Sequence, residues 1–185
     1  MTTVMVFRGR QLRPVGWHQL ERRWASRLVD LAGICAGDLV LDVGAGTGAI
    51  TAQLVRAGAS VVAVELHPER AAMLRERFAG LPVTVVRVDA TDLRLPRRAF
   101  KVVANPPFGV TTALLRRLTG SRSRLQRATL VLPEWASKRW AVGRGVGSVT
   151  SRRAFTFALG PRVPLDAFRP PPPVRPRILL ITRAR

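Results

Sequence analysis

Cysteine and histidine are scarce in this 185-residue sequence, and long apolar runs are missing. The single cysteine, Cys35, has no second thiol in the chain with which to form an internal disulfide. Histidine occurs only as His18 and His67. We therefore interpret Cys35 as a packing residue, not a nucleophile, and we expect no metal site. No apolar run approaches the roughly 20 residues that cross a bilayer, which excludes a membrane span.

A secretory signal is also missing at the N-terminus. The stretch MTTVMVFRGRQLRP is apolar over too few residues, and too basic afterwards, to serve as one. Without a signal or a span, we expect the protein in the cytoplasm. The length, with 47% apolar residues, is typical of one globular domain with a sizeable core.

Acidic residues are few: 31 Lys and Arg stand against 11 Asp and Glu, a net charge of +20. All the basic residues except Lys101 and Lys138 are arginines, whose guanidinium groups bind phosphate bidentately and stack on bases. A GC-rich genome would explain part of the excess of Arg over Lys, but not the shortage of acids. The charge predicts a polyanionic partner, and nucleic acid is the first candidate.

Short apolar strands that alternate with helices predict an α/β fold. Leu20, Trp24, Leu28 and Leu31 recur at helical spacing and are followed by Gly33. Later helices are predicted over 49–57, 68–78, 111–118 and 134–141. The predicted strands cover residues 38–43, 60–66, 83–88, 100–105, 128–133, 153–159 and 177–183. Strands of this kind form a mostly parallel sheet that helices cover on both faces.

The remaining segments complete the predicted organisation. Residues 1–15 are expected to be a flexible basic arm, and residues 16–185 a single domain with no second domain after it. The glycine-rich and basic stretch 143–153 is predicted to be a mobile loop. The stretch 168–176 is a stiff polyproline segment.

A glycine-rich turn, LDVGAGTGAIT over residues 41–51, joins the first predicted strand of the sheet to a helix. Gly44, Gly46 and Gly48 have the spacing G-x-G-x-G, which differs from the G-x-G-x-x-G of a dinucleotide site. Asp42 comes just before this loop and would repel a pyrophosphate. A carboxylate there favours a cationic ligand without phosphate, such as S-adenosylmethionine.

Two more acids follow the next two predicted strands. Glu65 can accept hydrogen bonds from ribose hydroxyls, and Asp89 can accept one from an adenine amine. Each acid alone could be a strand-end cap or a solvated residue. Together with the glycine loop they would lie at one edge of the sheet, and the set predicts an S-adenosylmethionine site.

The tetrapeptide Asn105-Pro106-Pro107-Phe108 follows the fourth predicted strand, at the same edge. The Asn105 side-chain oxygen and the Pro106 carbonyl can accept both hydrogens of an exocyclic amine and aim its lone pair at a methyl group. Phe108 can stack on a base turned out of its helix. The tetrapeptide therefore predicts methyl transfer to an amine, although a proline-stiffened loop without chemistry stays possible.

These motifs resemble those of the rRNA adenine N6-methyltransferases. GWHQL over 16–20 resembles their G-Q-H-F-L entry motif, which helps to close the cofactor site, and LVLPEWASKRW over 130–140 resembles their L-x-x-Q-x-E segment. AFRPPPPV over 167–174 is similar to their late F-x-P-x-P motif. The resemblance covers roughly residues 14–183. It is closest to the erythromycin-resistance branch, which methylates an adenine in the peptidyl-transferase loop of 23S rRNA and blocks macrolides, lincosamides and streptogramin B.

The resemblance implies one Rossmann-like class I methyltransferase domain that uses S-adenosylmethionine, has a seven-stranded, mostly parallel sheet, and acts as a monomer on 23S rRNA. It implies catalytic roles for Asn105, Pro106 and Phe108, and substrate contacts for Phe108 and Phe168. Arg144 and Arg152, in the basic 143–153 loop, are further candidates for substrate contacts. In the family, the aromatic residue that Phe168 matches helps to hold the flipped adenine. The implied cofactor-binding residues are Trp17, His18, Leu20, Asp42, Gly44, Ala45, Gly46, Gly48, Glu65, Leu66, Asp89, Ala90 and Asn105.

Most of that family carries a helical C-terminal domain, and this chain resembles the short actinobacterial members without one. The basic arm and the 143–153 loop are candidates for its RNA contacts. Three alternatives stay open. A DNA adenine methyltransferase shares the tetrapeptide but usually has an added target-recognition region. A glutamine N5-methyltransferase that modifies a protein also shares it. A catalytically idle RNA-binding or ribosome-assembly factor could keep the fold.

Overall fold

The computed structural model describes residues 18–143 and 153–184. Its helices are α1 (Arg22–Ala32), α2 (Ala49–Arg56), α3 (Pro68–Arg77), α4 (Thr111–Leu118) and α5 (Glu134–Ala141). Its strands are β1 (Gln19–Leu20), β2 (Leu39–Val43), β3 (Ser60–Val64), β4 (Val83–Val86), β5 (Phe100–Ala104), β6 (Leu125–Pro133), β7 (Phe155–Arg162), β8 (Phe168–Arg169) and β9 (Pro176–Arg183). Within the described ranges, no helix is both long enough and apolar enough to cross a membrane.

Seven of these strands form one sheet in the order β4-β3-β2-β5-β6-β9-β7. The pairs from β4 to β6 are parallel, whereas β9 is antiparallel to both β6 and β7. This confirms the predicted Rossmann-like, mostly parallel sheet. The chain runs outward from β2 to β4 and then returns to β5 on the other side of β2. The carboxyl ends of β2 and β5 therefore flank a topological switch point, where α/β proteins bind their ligands.

Helices cover both faces of the sheet, as the alternation of strands and helices predicts. Successive residues of a strand point to opposite faces, and the neighbours Val40 and Leu41 of β2 belong to different hydrophobic clusters. One cluster receives Leu28 from α1 and Leu54 from α2. The other includes Leu114 from α4. Burial on both faces explains why the strands are apolar throughout.

The first helix differs from its prediction. Leu20 lies before the helix, in β1, and Leu31 is 36% exposed. The helix instead buries a stripe centred on Trp24 and Leu28, together with Ala25, Val29 and Ala32. Leu31 lies beside this stripe and not within it, because residues 24, 28 and 32 repeat at the four-residue spacing of one helix face. Helices α4 and α5 have the predicted bounds. The strands of the seven-stranded sheet differ from their predicted bounds by one to three residues.

A second, two-stranded sheet was not predicted. In it β1 pairs antiparallel with β8, so that Gln19 is opposite Arg169 and Leu20 is opposite Phe168. We call this pair of strands the clasp. The Glu21 backbone N–H donates to the Ala167 carbonyl over 2.8 Å, and the Glu21 carboxylate pairs with Arg169 at 3.0 Å. The clasp fixes the chain entering α1 against the segment that precedes β9.

Candidate active site

A cavity of about 240 Å³ opens at the carboxyl ends of β2, β3 and β5. Most of the predicted site residues line it: His18, Leu20, Gly44, Ala45, Gly46, Glu65, Leu66, Asp89, Ala90, Asn105, Pro106 and Phe108. Asp42, Gly48 and Phe168 do not. Trp17, Arg144 and Arg152 lie outside the described residues, as do the predicted arm over 1–15 and most of the predicted loop over 143–153.

Gly44 brings the glycine loop into contact with the Asn-Pro-Pro-Phe segment. Its φ is +77°, a conformation that side chains disfavour, and an added Cβ would lie 2.9 Å from Pro107 Cδ and 3.3 Å from Pro106 Cα. The missing side chain therefore lets the two motifs touch. Because β2 and β5 are neighbours in the sheet, this contact closes one wall of the cavity.

Gly48 has a different role from the predicted one. An added Cβ there would lie 2.5 Å from the Phe78 ring and 2.9 Å from Leu74 Cδ2. The residue comes just before α2, with φ of +85°, and lies against the end of α3. The glycine at position 48 of the G-x-G-x-G pattern therefore allows close packing of α2 against α3. It is not part of the cavity lining.

Glu65 is 4% exposed and holds the loops around it through its carboxylate. The Gly46 N–H donates to Oε2 over 2.9 Å, and the His67 N–H donates to Oε1 over 2.8 Å. The Arg70 guanidinium donates to Oε1 over 3.1 Å. A carboxylate offers about four acceptor positions, so these three bonds leave capacity for a ligand hydroxyl at the cavity wall.

Asp42 is fully buried beneath the glycine loop and does not reach the cavity. Its Oδ2 accepts a hydrogen bond from the Thr51 hydroxyl at 2.7 Å, and within the described residues its Oδ1 has no partner. Burial raises the pKa of Asp42 to about 7, with a smaller contribution from the charge of Glu65, while the bonds from Thr51 oppose the rise. The predicted direct contact with a cofactor is not supported by this position. Its hydrogen bond instead joins the end of β2 to Thr51 in α2.

Asp89 lines the cavity, half-buried. Its Oδ1 accepts hydrogen bonds from both the backbone N–H and the hydroxyl of Thr91, each at 2.8 Å. These bonds fix the carboxylate and use only one of its oxygens. The second oxygen is available to accept a hydrogen bond from a ligand amine.

Asn105 has a defined orientation at the cavity. Its Nδ2 donates to the backbone carbonyl of His18 over 2.9 Å. Because a carbonyl oxygen can only accept, the end of the amide that faces His18 is the nitrogen, and Oδ1 is the acceptor left for a substrate amine. The orientation required of Asn105 is therefore set by the segment that precedes α1.

His18 is itself fixed from the other side. Its Nδ1 is 2.9 Å from the Pro170 carbonyl, so the proton of the neutral ring is on Nδ1. The imidazole centroid is 6.3 Å from that of Phe108, with the two rings inclined by 31°. A continuous set of contacts thus runs from Pro170 through His18 to Asn105.

Phe168 is a correction to the predicted substrate site. Its ring is completely buried, and it belongs to the hydrophobic cluster that contains Leu20, Trp24 and Leu28. A base cannot stack on a ring that has no exposed surface, so in this conformation Phe168 does not contact an adenine. It anchors the clasp, opposite Leu20.

Sequence reasoning missed the residues that hold the predicted acids. Thr51 and Arg70 are the examples, bonded to Asp42 and Glu65 respectively. Thr51 follows Asp42 by nine residues and Arg70 follows Glu65 by five, and each is the third residue of the helix that comes next in the chain, α2 or α3. That spacing is a signal that could have identified them, because the helix returns across the end of the strand it follows.

Residues 21–183 match the family model described as Ribosomal RNA adenine dimethylase. The chain belongs to this family. One relative is the rRNA adenine N-6-methyltransferase of Corynebacterium diphtheriae, 36% identical over 84% of this chain and 62% of its own length. The mycinamicin-resistance protein MyrB of Micromonospora griseorubida is 38% identical over 89% of this chain and 53% of its own. The ribosomal RNA small subunit methyltransferase A of Geobacter sulfurreducens is 34% identical over 86% and 63%.

Among solved structures, the 23S rRNA methyltransferase ErmE superposes with a TM-score of 0.79 at 25% identity. The match covers 89% of this chain and 68% of the ErmE chain. The chain spans little more than half to about two thirds of the length of the curated relatives named above. The range that matches the family model, residues 21–183, contains the glycine loop and the Asn-Pro-Pro-Phe segment of this chain.

Proposed function

We propose that the protein transfers a methyl group from S-adenosylmethionine to the N6 amine of an adenine in the peptidyl-transferase loop of 23S rRNA, and so confers resistance to macrolides, lincosamides and streptogramin B. The observation that carries this proposal is the orientation of Asn105. Its Oδ1 is the acceptor left for an amine at the cavity, because Nδ2 is bonded to His18. Pro106 lines the same cavity and offers a second, rigid acceptor.

The residues present fit S-adenosylmethionine, which is the cofactor of the fold family. Its sulfonium supplies an activated methyl group when bound. The backbone of Gly44 and Gly46 would lie against it, Glu65 has acceptor capacity for ribose hydroxyls, and Asp89 has an oxygen for the adenine amine. The buried Asp42 side chain lies beneath the glycine loop and does not reach the cavity. A phosphate-bearing cofactor would meet the carboxylates of Glu65 and Asp89 at the cavity wall.

The chain's own residues prepare the substrate amine. An amine conjugated to a purine ring is a poor nucleophile because its lone pair is delocalised. Acceptance of its two hydrogens by Asn105 Oδ1 and the Pro106 carbonyl would hold the nitrogen in place and direct its lone pair. Phe108 lines the cavity next to His18 and can stack on a flipped base.

The choice of 23S rRNA is supported by the name of the 23S rRNA methyltransferase ErmE, and the resistance by the name of the mycinamicin-resistance protein MyrB. The charge of +20 supports a nucleic-acid substrate. A second candidate substrate is small-subunit rRNA, because the Geobacter sulfurreducens relative is named for it. We further propose that the protein acts as a monomer in the cytoplasm. The predicted basic arm and the 143–153 loop stay candidates for RNA contacts.

The deciding experiment is methyl transfer from labelled S-adenosylmethionine to protein-free 23S and 16S rRNA in separate reactions, with the products mapped by mass spectrometry. Methyladenine in the peptidyl-transferase loop of 23S rRNA is the expected result. Methylation of 16S rRNA alone would replace the proposed substrate with the second candidate. Transfer to neither RNA, with S-adenosylmethionine bound, would contradict the activity on free rRNA and favour the idle binding factor or another acceptor.

A further inference from the structure

One tryptophan of the described chain is exposed, and it follows the carboxyl end of β6, at the end of the sheet where the cavity opens. Trp135, in the first turn of α5, keeps 60% of its surface accessible. By contrast, Trp24 is 9% exposed and Trp140 is 2% exposed. A large aromatic side chain left in solvent is informative, because tryptophan gains more than most residues from burial.

The sheet places Trp135 at the edge that carries the cavity. Strand β6 lies beside β5 and runs parallel to it, with Leu130 opposite Ala104. Asn105 is one residue beyond this pair and Trp135 is five beyond it. Leu132 and Pro133 continue β6 beyond the level of Asn105, and the chain then turns into α5, whose second residue is Trp135. Trp135 therefore lies at the same end of the sheet as Asn105, without lining the cavity.

The polyproline segment connects the cavity with the surroundings of Trp135. The carbonyl of Pro170, the first proline of the segment, bonds to His18 at the cavity. Near its end, the Arg175 carbonyl accepts the Glu134 N–H over 2.9 Å, next to Trp135. Five residues of extended chain span at most about 18 Å. The contact of Pro170 at the cavity and the contact of Arg175 beside Trp135 are thus at most about 18 Å apart.

The surroundings of Trp135 are cationic. The Glu134 carboxylate pairs with Arg162 at 3.1 Å, Lys138 at 3.2 Å and Arg177 at 3.5 Å. Three cations around one carboxylate leave a positive surplus, and Lys138 and Arg162 remain 55% and 66% exposed. Arg139 is one helical turn after Trp135 and is also exposed. This combination of an accessible ring with exposed cations is typical of surfaces that bind nucleic acid.

We propose that Trp135 is a stacking platform for an RNA base close to the target adenine, and that Lys138, Arg139 and Arg162 contact the phosphates beside that base. This inference rests on the proposed function for the identity of the RNA. Charge complementarity favours RNA over an apolar protein surface, because a protein contact over Trp135 would have to desolvate the exposed cations around it. Stacking on tryptophan supplies affinity for a base, and the cations add affinity through electrostatic contacts with the phosphates.

The first test compares Trp135→Leu with Trp135→Phe in the full chain. The probe is a fluorescent transcript of the peptidyl-transferase loop, and the readout is equilibrium binding by anisotropy without methyl transfer. Trp135→Leu is expected to weaken binding by roughly 5- to 150-fold, since it keeps apolar volume but cannot stack. Trp135→Phe is expected to stay within a few-fold of wild type. Leu81→Ala, which truncates another exposed apolar side chain before β4, should leave binding unchanged.

A second test separates the cations from net charge. The double variant Lys138→Gln/Arg139→Gln should reduce the salt dependence of binding by about two phosphate contacts. The matched control, Arg97→Gln/Arg98→Gln, removes two exposed charges from the turn that precedes β5, at the other end of the strands. Equal changes in the two double variants would refute a local phosphate contact near Trp135.

Three outcomes would overturn the stacking role: wild-type binding by Trp135→Leu, equal weakening by the Phe and Leu variants, or a dimer in sedimentation that Trp135→Leu dissolves. The last would assign the face to a second copy of the chain. Affinity for S-adenosylmethionine should be unchanged in every variant, because Trp135 does not line the cavity. Absence of methyl transfer to 23S rRNA would refute the proposed function. It would not affect the interpretation of this test, because the readout here is binding.

Discussion

The Asn105 side chain donates from Nδ2 to the His18 carbonyl over 2.9 Å, and this bond joins the end of β5 to a segment 87 residues earlier in the chain. His18 is held in turn by the Pro170 carbonyl. The orientation of the amide that would receive the substrate amine therefore depends on the clasp, formed by β1 and β8. Hydrogen bonds through His18 therefore connect the Asn-Pro-Pro-Phe segment to the clasp.

Asn105→Ala should lower methyl transfer by roughly 100- to 1000-fold while leaving affinity for S-adenosylmethionine within a few-fold of wild type. The variant removes the acceptor for the substrate amine and only one contact to His18. A positioned polar group of this kind is typically worth roughly 100- to 1000-fold in turnover. Single-turnover kinetics and calorimetric titration of the cofactor measure the two effects separately. Parallel loss of both would show that Asn105 is mainly a folding residue.

Phe168→Leu should remain folded and retain methyl transfer within about tenfold of wild type, because the side chain packs in the core and a leucine fills much of the same space. Phe168→Ala should lower the free energy of unfolding by about 3–5 kcal/mol. Denaturant unfolding and steady-state kinetics check both. If Phe168→Leu unfolds like wild type but is inactive, the aromatic ring has the stacking role that its burial argues against.

Gly44→Ala should abolish activity, since its Cβ would meet Pro107 at 2.9 Å and force the glycine loop away from the Asn-Pro-Pro-Phe segment. Gly80→Ala is the matched control. Gly80 has a similar φ, +75°, and no atom within 4 Å of an added Cβ. It should therefore lose only about 1–2 kcal/mol of stability from backbone strain, with normal kinetics. Comparable activity in the two variants would contradict the close approach at Gly44.

Asp42 should make the cofactor-free protein less stable as pH rises. Its pKa is about 7 in the folded chain and 3.8 in the reference state, so between these values the native state keeps a proton that the unfolded chain releases. The unfolding free energy attributable to this group then falls across that window, by an amount of order 4 kcal/mol. Guanidinium unfolding at pH 5 and pH 8 measures the part of this loss that occurs above pH 5, about 3 kcal/mol. Asp42→Asn should remove it, and identical pH dependence in the variant would contradict the raised pKa.

The sheet and most of the cavity lining could be predicted because their signals are local. Apolar strands, the glycine loop over 41–51 and the Asn-Pro-Pro-Phe tetrapeptide each read as a short continuous pattern, and parallel strands bring their carboxyl ends to one edge. The sheet topology then places Glu65, Asp89 and Asn105 around one space. No long-range information beyond the strand order is needed.

The remaining features depend on contacts that no local pattern encodes. The clasp pairs two strands of two residues each, about 150 positions apart, so β1 has no periodicity to detect. Phe168 has the same motif spacing whether its ring faces a base or the core, and only the packing of Leu20 and Trp24 decides the matter. The motif likewise does not distinguish Gly48, which is required for helix packing, from Gly44, which borders the cavity.

The order of the strands also has a consequence for synthesis of the protein. Strand β9 lies inside the sheet, between β6 and β7, although it follows both in the chain. Among the described strands, β7 pairs with β9 alone. While the chain is being translated, β7 therefore has no neighbour and β6 has an open side until β9 leaves the exit tunnel. The sheet is completed last by an internal strand next to its edge, so the protein should become competent only when the residues up to Arg183 have emerged from a ribosome.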